Sequence, residues 1–311
     1  MNGRWSTGRP QAPEVSTERW SRAGWEEGPD RLAAEEPLQL LLDGQPLSIV
    51  MRTPGQDVEL ALGLLWAERV ITDAGHVNRL HISAESGELE RCQGSKALPR
   101  IDADLVESNQ VDVSLASGTD RPVQRTFLSS SACGVCGATT IESLALDFEP
   151  LPPGPYCDPA VLGSLPEKLR GRQRIFEQTG GLHAAGLFDP VGDLVMLRED
   201  VGRHNAVDKV VGRALLDGRL PLSEHILVVS GRGGYEIVQK AVAAGIPVVA
   251  AVGAPSSLAV ATARRFGLTL VGFLRDERFN VYSAPERLRP GGGGAGEQAA
   301  AASQRPPLRK E

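Results

Sequence analysis

The fold class of this chain is indicated by a strand that runs through a glycine-rich turn into a helix: Ile226-Leu227-Val228-Val229-Ser230-Gly231-Arg232-Gly233-Gly234-Tyr235. A short apolar run bounded by glycines is typical of a buried strand. The same alternation of strand and helix continues on both sides, and the order predicted for residues 158–288 is α-β-β-α-β-α-β-α-β. This order predicts a three-layer α/β sandwich.

The individual elements of this second half follow from caps, glycines and apolar periodicity. Asp158-Pro159 and Ser164-Leu165-Pro166 both look like helix starts, and Gly180-Gly181 ends that helical region. The further predicted helices are 204–216, 235–244 and 257–266. The further predicted strands are 183–188, 194–197, 226–230, 247–251 and 268–273.

The sequence pattern in the first half of the chain predicts a smaller α+β domain, residues 36–128. Alternating apolar residues over 38–51 flank Asp43-Gly44, which indicates a β-hairpin. A helix over 58–66 follows, with Asp57 as its candidate N-cap, and strands are expected at 80–82 and 111–115. Residues 129–157 are assigned to a cysteine loop and linker. The tails, 1–35 and 289–311, are predicted to be disordered, because their composition is polar or of low complexity.

Composition excludes some classes of function. A chain of 311 residues is long enough for two domains, and its net charge of −6 argues against binding nucleic acid through bulk electrostatics. The N-terminal residues have no apolar core of a signal peptide, and no apolar run approaches the ~18 residues that a membrane span needs. The sequence therefore predicts a soluble cytoplasmic protein with no membrane or nucleic-acid partner.

Two strand-to-helix corners are candidates for binding an anion. The glycine turn at 230–234 and the corner Asp200-Val201-Gly202-Arg203-His204-Asn205 both lead into helices, whose free N–H groups and dipoles favour negative charge. In such a sheet, ligands gather beyond the carboxyl ends of the strands, so we expect the two corners to form one pocket. Arg203, His204 and Arg232 are the candidate phosphate contacts. The alternative is that these are ordinary glycine turns with surface arginines, and that His204 caps a helix or is satisfied in the core.

The cysteine pair Cys133 and Cys136 is the main candidate for covalent chemistry. It lies between serines and glycines, in a chain with 4 cysteines in all. A reactive thiolate, a thioredoxin-type dithiol, half of a zinc site and an inert turn are all compatible with a C-x-x-C spacing. Zinc usually takes a second pair of ligands, and the other cysteines, Cys92 and Cys157, stand alone.

Together these residues resemble the FdhD family, from about residue 36 to about residue 287. Five blocks carry the resemblance and occur in the family's order. They are Met51-Arg52-Thr53-Pro54-Gly55 with Glu59-Leu60-Ala61-Leu62-Gly63; Ser131-Ala132-Cys133-Gly134-Val135-Cys136-Gly137; Arg198-Glu199-Asp200-Val201-Gly202-Arg203-His204-Asn205-Ala206-Val207-Asp208-Lys209; Ser230-Gly231-Arg232; and Gly272-Phe273-Leu274-Arg275-Asp276-Glu277-Arg278-Phe279-Asn280-Val281-Tyr282-Ser283.

The resemblance implies a sulfurtransferase step needed for formate dehydrogenase activity. A cysteine desulfurase would place a persulfide on Cys133, with Cys136 as the second thiol of the loop. The sulfur would then pass to the bis-molybdopterin guanine dinucleotide molybdenum (or tungsten) cofactor, which is the substrate. The family's cofactor-binding segment falls on Phe273, Leu274, Arg275, Asp276, Glu277 and Arg278. A non-catalytic chaperone for the same cofactor is the alternative, and a homodimer is expected because the cofactor carries two guanylates.

The resemblance implies that the second domain is similar to the cytidine deaminase fold. The deaminase zinc ligands can therefore be compared with the residues of this chain. Deaminases open the two relevant helices with His-Ala-Glu and Pro-Cys-x-x-Cys. Here those helix starts read His204-Asn205-Ala206 and Ser230-Gly231-Arg232-Gly233, so both cysteine ligands and the glutamate are missing. We therefore expect no zinc, and expect a GDP-like nucleotide portion of the cofactor in this pocket, with Ser230, Gly231 and Arg232 contributing.

Overall fold

The computed structural model describes residues 10–82, 101–102, 109–119, 148–275 and 278–291, which form a mixed α/β protein. The helices are α1 Asp57–Ala67, α2 Pro159–Arg170, α3 Arg174–Thr179, α4 Arg203–Leu216, α5 Tyr235–Ala243 and α6 Ser257–Arg265. The strands are β1 Glu14–Ser21, β2 Gly24–Arg31, β3 Glu36–Leu42, β4 Gln45–Arg52, β5 Val77–Ile82, β6 Ile101–Asp102, β7 Gln110–Leu115, β8 His183–Phe188, β9 Leu194–Asp200, β10 Ile226–Val229, β11 Val248–Ala251, β12 Thr269–Arg275 and β13 Arg278–Ser283.

The second half of the chain is built on a six-stranded sheet in the order β13-β12-β11-β10-β8-β9. Strands β10, β11 and β12 are parallel, and the other pairings are antiparallel. All four residues of β10 and of β11 are buried, as expected for central strands that are covered on both faces. Apolar residues of α4, α5 and α6 cover one face, and Leu162, Leu165 and Leu169 of α2 cover the other.

The first half forms a five-stranded sheet in the order β4-β3-β7-β5-β6. The predicted hairpin is present as β3 and β4, and both turn residues, Asp43 (φ 51°) and Gly44 (φ 75°), have the left-handed conformation that a tight hairpin turn requires. The strand expected at 80–82 is the second half of β5, and the strand expected at 111–115 is β7, which begins one residue earlier. Helix α1 packs its apolar residues on this sheet in a core that also takes in Leu215 and Leu216 of α4.

Helices α1 and α4 cross at two glycines, which joins the two halves of the chain. A Cβ atom on Gly63 would lie 1.9 Å from the carbonyl oxygen of Asp208, and one on Gly212 would lie 1.8 Å from that of Glu59. The two backbones are therefore in direct contact, which a side chain at either position would prevent. Trp66 of α1 adds a hydrogen bond from its Nε1 to the carbonyl of Ala243 (2.7 Å).

Three local predictions are corrected by the structure. Asp57 does not cap α1: the N-cap residue is Gln56 (φ 58°), and the Asp57 carboxylate instead accepts two hydrogen bonds from Arg52. Pro166 does not start a second helix, because the buried apolar stripe of α2 continues through it; Asp158 caps this helix by accepting from the N–H of Ala160. The last strand, β13, was not predicted.

The N-terminal segment also differs from the prediction of disorder. Residues 14–31 form an antiparallel hairpin of eight residue pairs, β1 with β2. Its base is held by hydrogen bonds from Leu32 N to Pro13 O and from Ala34 N to Gln11 O, both 3.0 Å. At the other end of the chain, order extends past residue 288, since Gly291 N donates to Asp158 (2.7 Å); residues 292–311 lie outside the described residues.

None of the helices within the described residues is long and apolar enough to cross a membrane.

Candidate functional site

Three chain turns meet where the parallel strands β10, β11 and β12 end. Gly253 N donates to Gly231 O (2.9 Å), and Phe273 N donates to Gly253 O (3.1 Å). A Cβ atom on Gly253 would lie 2.9 Å from Gly231 O and 3.0 Å from Arg232 Cα, so this packing requires glycine. The structure thus brings the Ser230-Gly231-Arg232 turn next to the start of the 273–278 segment.

The second candidate corner, at the start of α4, adjoins the first. A Cβ atom built on Gly231 would lie 3.3 Å from Arg203 Cδ and 3.3 Å from His183 Nδ1. Arg203 is the first residue of α4, and its Nε is buried without a hydrogen-bond partner among the described residues. Arg232 is exposed at the same turn. Two arginines and the N-termini of α4 and α5 therefore surround one glycine turn, an arrangement that favours an anion.

His204 is held as a neutral imidazole. Its Nδ1 lies 3.2 Å from Oε2 of Glu236 on α5. Burial, followed by the positive charges of Arg203 and Lys240, lowers the pKa of His204 to about 3. Burial also raises the pKa of Glu236, partly offset by Lys240 and Arg203. His204 thus lies among the candidate phosphate ligands but carries no positive charge of its own at neutral pH.

Much of the Arg198-to-Lys209 block serves the fold rather than an open site. Lys209 Nζ contacts the Asp200 carboxylate (2.8 Å) with both side chains fully buried, and it also donates to Thr53 O (2.9 Å). Asp200 accepts from Thr53 N (3.1 Å) and from Asn205 Nδ2 (2.9 Å), while Asn205 also reaches Met51 O. This cluster fastens the 51–53 segment, at the end of β4, to the start of α4.

A second buried ion pair involves Asp208, the residue next to Lys209 in α4. Lys240 Nζ of α5 donates to Asp208 Oδ1 at 2.7 Å. Burial raises the pKa of Asp208 to about 6, with Lys240 partly offsetting it. Burial alone would lower the pKa of Lys240, but the carboxylates of Asp208, Glu68 and Glu236 together outweigh it and the pKa is raised. The pair is therefore charged at neutral pH, and it locks α5 against α4 beneath His204.

A cleft of about 550 Å³ opens beside the glycine turn, between α2 and α3 on one side and the ends of β8 and β10 on the other. His183 and Ser230 line it, which makes it continuous with the arginine corner. Ser230 Oγ accepts from Ala184 N (2.8 Å), so this side chain fixes the strand ends. Gln173 also lines the cleft, and its Nε2 is buried without a hydrogen-bond partner among the described residues.

Gln173 and His183 are cleft residues that sequence reasoning missed. Gln173 lies between two helices with no motif around it, and it is 5% exposed. His183 opens a strand that was predicted, but nothing in a single strand indicates which helix or turn its side chain will face. Burial, followed by the positive charge of Arg203, lowers the pKa of His183.

The segment predicted to bind the cofactor forms the end of β12 and the start of β13. Phe273, Arg275 and Arg278 line a pocket of about 370 Å³ together with Phe279 and Asn280. The ring of Phe273 is 44% exposed and its φ is 55°, a left-handed conformation that is uncommon for an aromatic residue. Leu274 is buried, and Asp276 and Glu277 lie outside the described residues.

Comparison with known proteins then gives the family. Residues 33–289 match the family model described as FdhD/NarQ family. This protein belongs to the FdhD/NarQ family. Proteins named "Sulfur carrier protein FdhD" are 48% identical in Streptomyces avermitilis (84% of this chain, 89% of the relative) and 42% identical in Sulfolobus acidocaldarius (83% and 91%). The family resemblance read from the sequence is thereby confirmed.

A solved structure supports the fold of this FdhD/NarQ chain. The protein is described as a putative formate dehydrogenase accessory protein from Desulfotalea psychrophila, and it aligns with a TM-score of 0.67 at 26% identity. The alignment covers 90% of this chain and all of the solved one. The mixed α/β architecture is therefore shared along nearly the whole length.

The two cysteines at the centre of the FdhD/NarQ prediction, Cys133 and Cys136, lie outside the described residues. Cys157 is described: it is fully buried, and burial raises the pKa of its thiol to about 11. Phe148, the first described residue after the cysteine segment, packs edge-on against Phe266, just before β12. The described chain thus resumes at the opposite end of the parallel strands from the arginine corner.

Within the described ranges, no three His, Cys, Asp or Glu side chains come together in a way that could hold a metal ion.

Proposed function

We propose that this protein is a sulfur carrier with sulfurtransferase activity, which takes a persulfide from a cysteine desulfurase onto Cys133 and delivers the sulfur to a bis-guanylate molybdenum or tungsten cofactor bound at the arginine corner. The recipient of the matured cofactor is formate dehydrogenase. The family membership supports sulfur carriage. The observation that carries the cofactor site is the convergence of Arg203, Arg232 and two helix N-termini on the Gly231 turn.

The geometry of the corner supports a nucleotide diphosphate as the bound group. Glycines 231, 233 and 253 leave the backbone accessible at close range, and the buried, unpartnered Nε of Arg203 provides a donor. The adjoining cleft has the volume for a nucleobase and an unpartnered amide donor in Gln173. We propose that the exposed side chain of Phe273, whose backbone N donates to Gly253 O, contacts the same ligand.

The same arrangement supports a likeness to the cytidine deaminase fold. We propose that α4 and α5 begin at the positions where deaminases carry their zinc ligands. In this chain those helix starts carry Arg203, His204 and Arg232, and the lowered pKa of His204 keeps it uncharged beside Glu236. We propose that an anion site has replaced hydrolytic chemistry in this pocket, and that the protein works in the cytoplasm as a homodimer that presents two such sites to one cofactor.

Nucleotide binding tests the site. GDP is expected to raise the melting temperature of the full chain, because it binds the folded state. Arg232→Gln is expected to weaken GDP binding about 10-fold by removing a charge-assisted contact. Arg264→Gln is the matched control, since it removes another exposed arginine, at the other end of the sheet, and is expected to leave the affinity within about 2-fold. An unchanged melting temperature at saturating GDP would contradict the assignment of a nucleotide site to this corner.

A non-catalytic chaperone that binds and delivers the cofactor is the second candidate, because the cleft and the arginine corner support cofactor binding without any role for the cysteines. Both functions predict GDP binding, so thermal shifts cannot separate them. A persulfide on the cysteine segment separates them, because the chaperone carries no sulfur of its own.

A further inference from the structure

The N-terminal hairpin β1–β2 projects two tryptophans into solvent. Trp20 and Trp25 are 66% and 69% exposed, and they are directly opposite each other across the two strands. Exposed aromatic pairs of this size are uncommon on protein surfaces outside binding sites. The hairpin also precedes residue 33, where the match to the family model begins.

The face that carries the tryptophans is acidic. Residues that alternate along a strand and their cross-strand partners share one face, so the pair Glu18 and Glu27 lies beside the tryptophan pair. Two like charges directly opposite each other destabilise a hairpin. Ser16 Oγ donates to Glu27 (2.9 Å), while the Glu18 carboxylate has no hydrogen-bond or ion-pair partner among the described residues.

The two arginines on the strands of the hairpin, Arg19 and Arg31, do not pair with Glu18 or Glu27. Arg19 lies on the opposite face, where it donates to Pro29 O and lies 3.8 Å from Asp30. Arg31, at the base, lies 3.9 Å from Glu14 and donates to Gln178 of α3 (2.9 Å). The tryptophans and the two glutamates are left facing solvent.

The hairpin is nevertheless held in a defined position. A two-stranded hairpin on its own is marginally stable in water. Here Gln11 Nε2 donates to Pro54 O (2.6 Å), and Ala33 touches the chain at Gly181, where a Cβ atom would lie 3.0 Å from its own Cβ. Gly181 lines the cleft, and α3, which carries the Arg31 contact, contributes Phe176 to its lining, so the hairpin lies beside the proposed cofactor site.

We propose that the Trp20–Trp25 face of the hairpin docks an arginine- or lysine-bearing segment of a partner protein. A cation seated on a tryptophan ring gains a cation–π interaction, and the Glu18 and Glu27 carboxylates are within reach of the same group. The segment would also relieve the repulsion between the two carboxylates. A second copy of this chain is a poorer occupant, since two acidic faces repel and the chain carries a net charge of −6. This inference does not depend on the cofactor site.

The test uses the full chain and a fluorescent nonapeptide of alternating arginine and glycine, with binding followed by polarisation at low salt. The peptide is expected to bind, and its affinity is expected to fall as salt is added, because exposed charges are screened. The same peptide with glutamate in place of arginine is expected not to bind.

Two double variants probe the two parts of the face. Glu18→Gln with Glu27→Gln keeps the shape and removes the charge, and Trp20→Thr with Trp25→Thr keeps a residue suited to a strand while removing the rings. Each is expected to weaken binding at least 10-fold. Glu26→Gln is the matched control, since it removes a carboxylate from the same strand on the opposite face, and it is expected to change the affinity less than 2-fold.

Several outcomes would overturn the proposal: no binding of the arginine peptide, equal binding of the glutamate peptide, or equal losses with Glu26→Gln and with the Glu18 and Glu27 variant. Sedimentation of the unmodified chain tests the other possible occupant of the face, which is a second copy of this chain. A dimer that dissociates in the Trp20 and Trp25 variant would show that the face binds a second copy instead.

Discussion

His204 shows how a residue's surroundings change its chemistry. In the sequence it stands between an arginine and an asparagine at a helix start and is a natural candidate for a charged phosphate ligand. In the structure it is surrounded by Arg203, Arg232, Lys240 and His183, and burial with these charges lowers its pKa to about 3. Spacing along the chain could not reveal this, because Lys240 and His183 come from other elements.

The neutral state of His204 has a measurable consequence for stability. Its pKa is lowered in the folded state, so above pH 6.5 both folded and unfolded chains hold it neutral, and as pH falls below 6.5 only the unfolded chain takes up the proton. The folded state therefore loses stability from pH 6.5 down to about pH 3. Relative to His204→Asn, the unmodified protein is expected to lose roughly 2 kcal/mol between pH 7 and pH 5.

Urea unfolding at several pH values measures this difference. The variant keeps Asp208, Glu236 and the other titrating groups, so their contributions largely cancel in the comparison. Curves of unfolding free energy that run parallel for the two proteins would show that His204 titrates normally in the folded state.

At the scale of elements, the crossing of α1 and α4 holds the two halves of the chain together. The glycines at this crossing, Gly63 and Gly212, were visible in the sequence as part of helices but not as partners. Their Cβ positions are filled by the carbonyls of Asp208 and Glu59.

Gly212→Ala is expected to destabilise the protein by at least about 2 kcal/mol, because the new methyl group forces the helices apart. The matched control is Gly171→Ala at the end of α2, where φ is −65° and the nearest atom to a new Cβ lies 3.5 Å away. That change is expected to be neutral or stabilising by up to about 1 kcal/mol. Equal melting temperatures for the two variants would contradict the close crossing.

The strands and helices of the second half were largely predictable, since a buried strand bounded by glycines has a strong local pattern; 183–188 was predicted residue for residue. The failures share one cause, which is that long-range contacts outweighed local signals. Pro166 continues a helix because the stripe around it is buried on the sheet. Residues 14–31 form a hairpin whose base is held by contacts that reach Pro54 and Gln178.

The candidate site was predictable in part for the same reason. Local sequence motifs contain Gly231, Arg232 and Arg203. The rule that ligands gather at strand ends predicted that the two corners form one pocket. Gln173 and His183 reach the cleft through the packing of α2 and α3 on the sheet, which no local pattern encodes.

At the scale of the whole molecule, the proposed cofactor site and the point where the described chain resumes after the cysteine segment lie at opposite ends of the parallel strands. The arginine corner lies at their carboxyl ends, and Phe148, which follows the cysteine segment, packs at their amino ends. Eleven residues lie between Cys136 and Phe148 in the sequence. Such a length spans at most about 40 Å when extended.

The central claim is that Cys133 carries the sulfur, and mass spectrometry of the cysteine peptide tests it most directly. After incubation with a cysteine desulfurase and L-cysteine, the peptide is expected to gain the mass of one sulfur atom in the unmodified protein and in Cys157→Ser, whose thiol is buried and has a pKa of about 11. Cys133→Ala is expected to gain none and to leave formate dehydrogenase inactive. A gain that persists in Cys133→Ala, or no gain in the unmodified protein, would contradict the account.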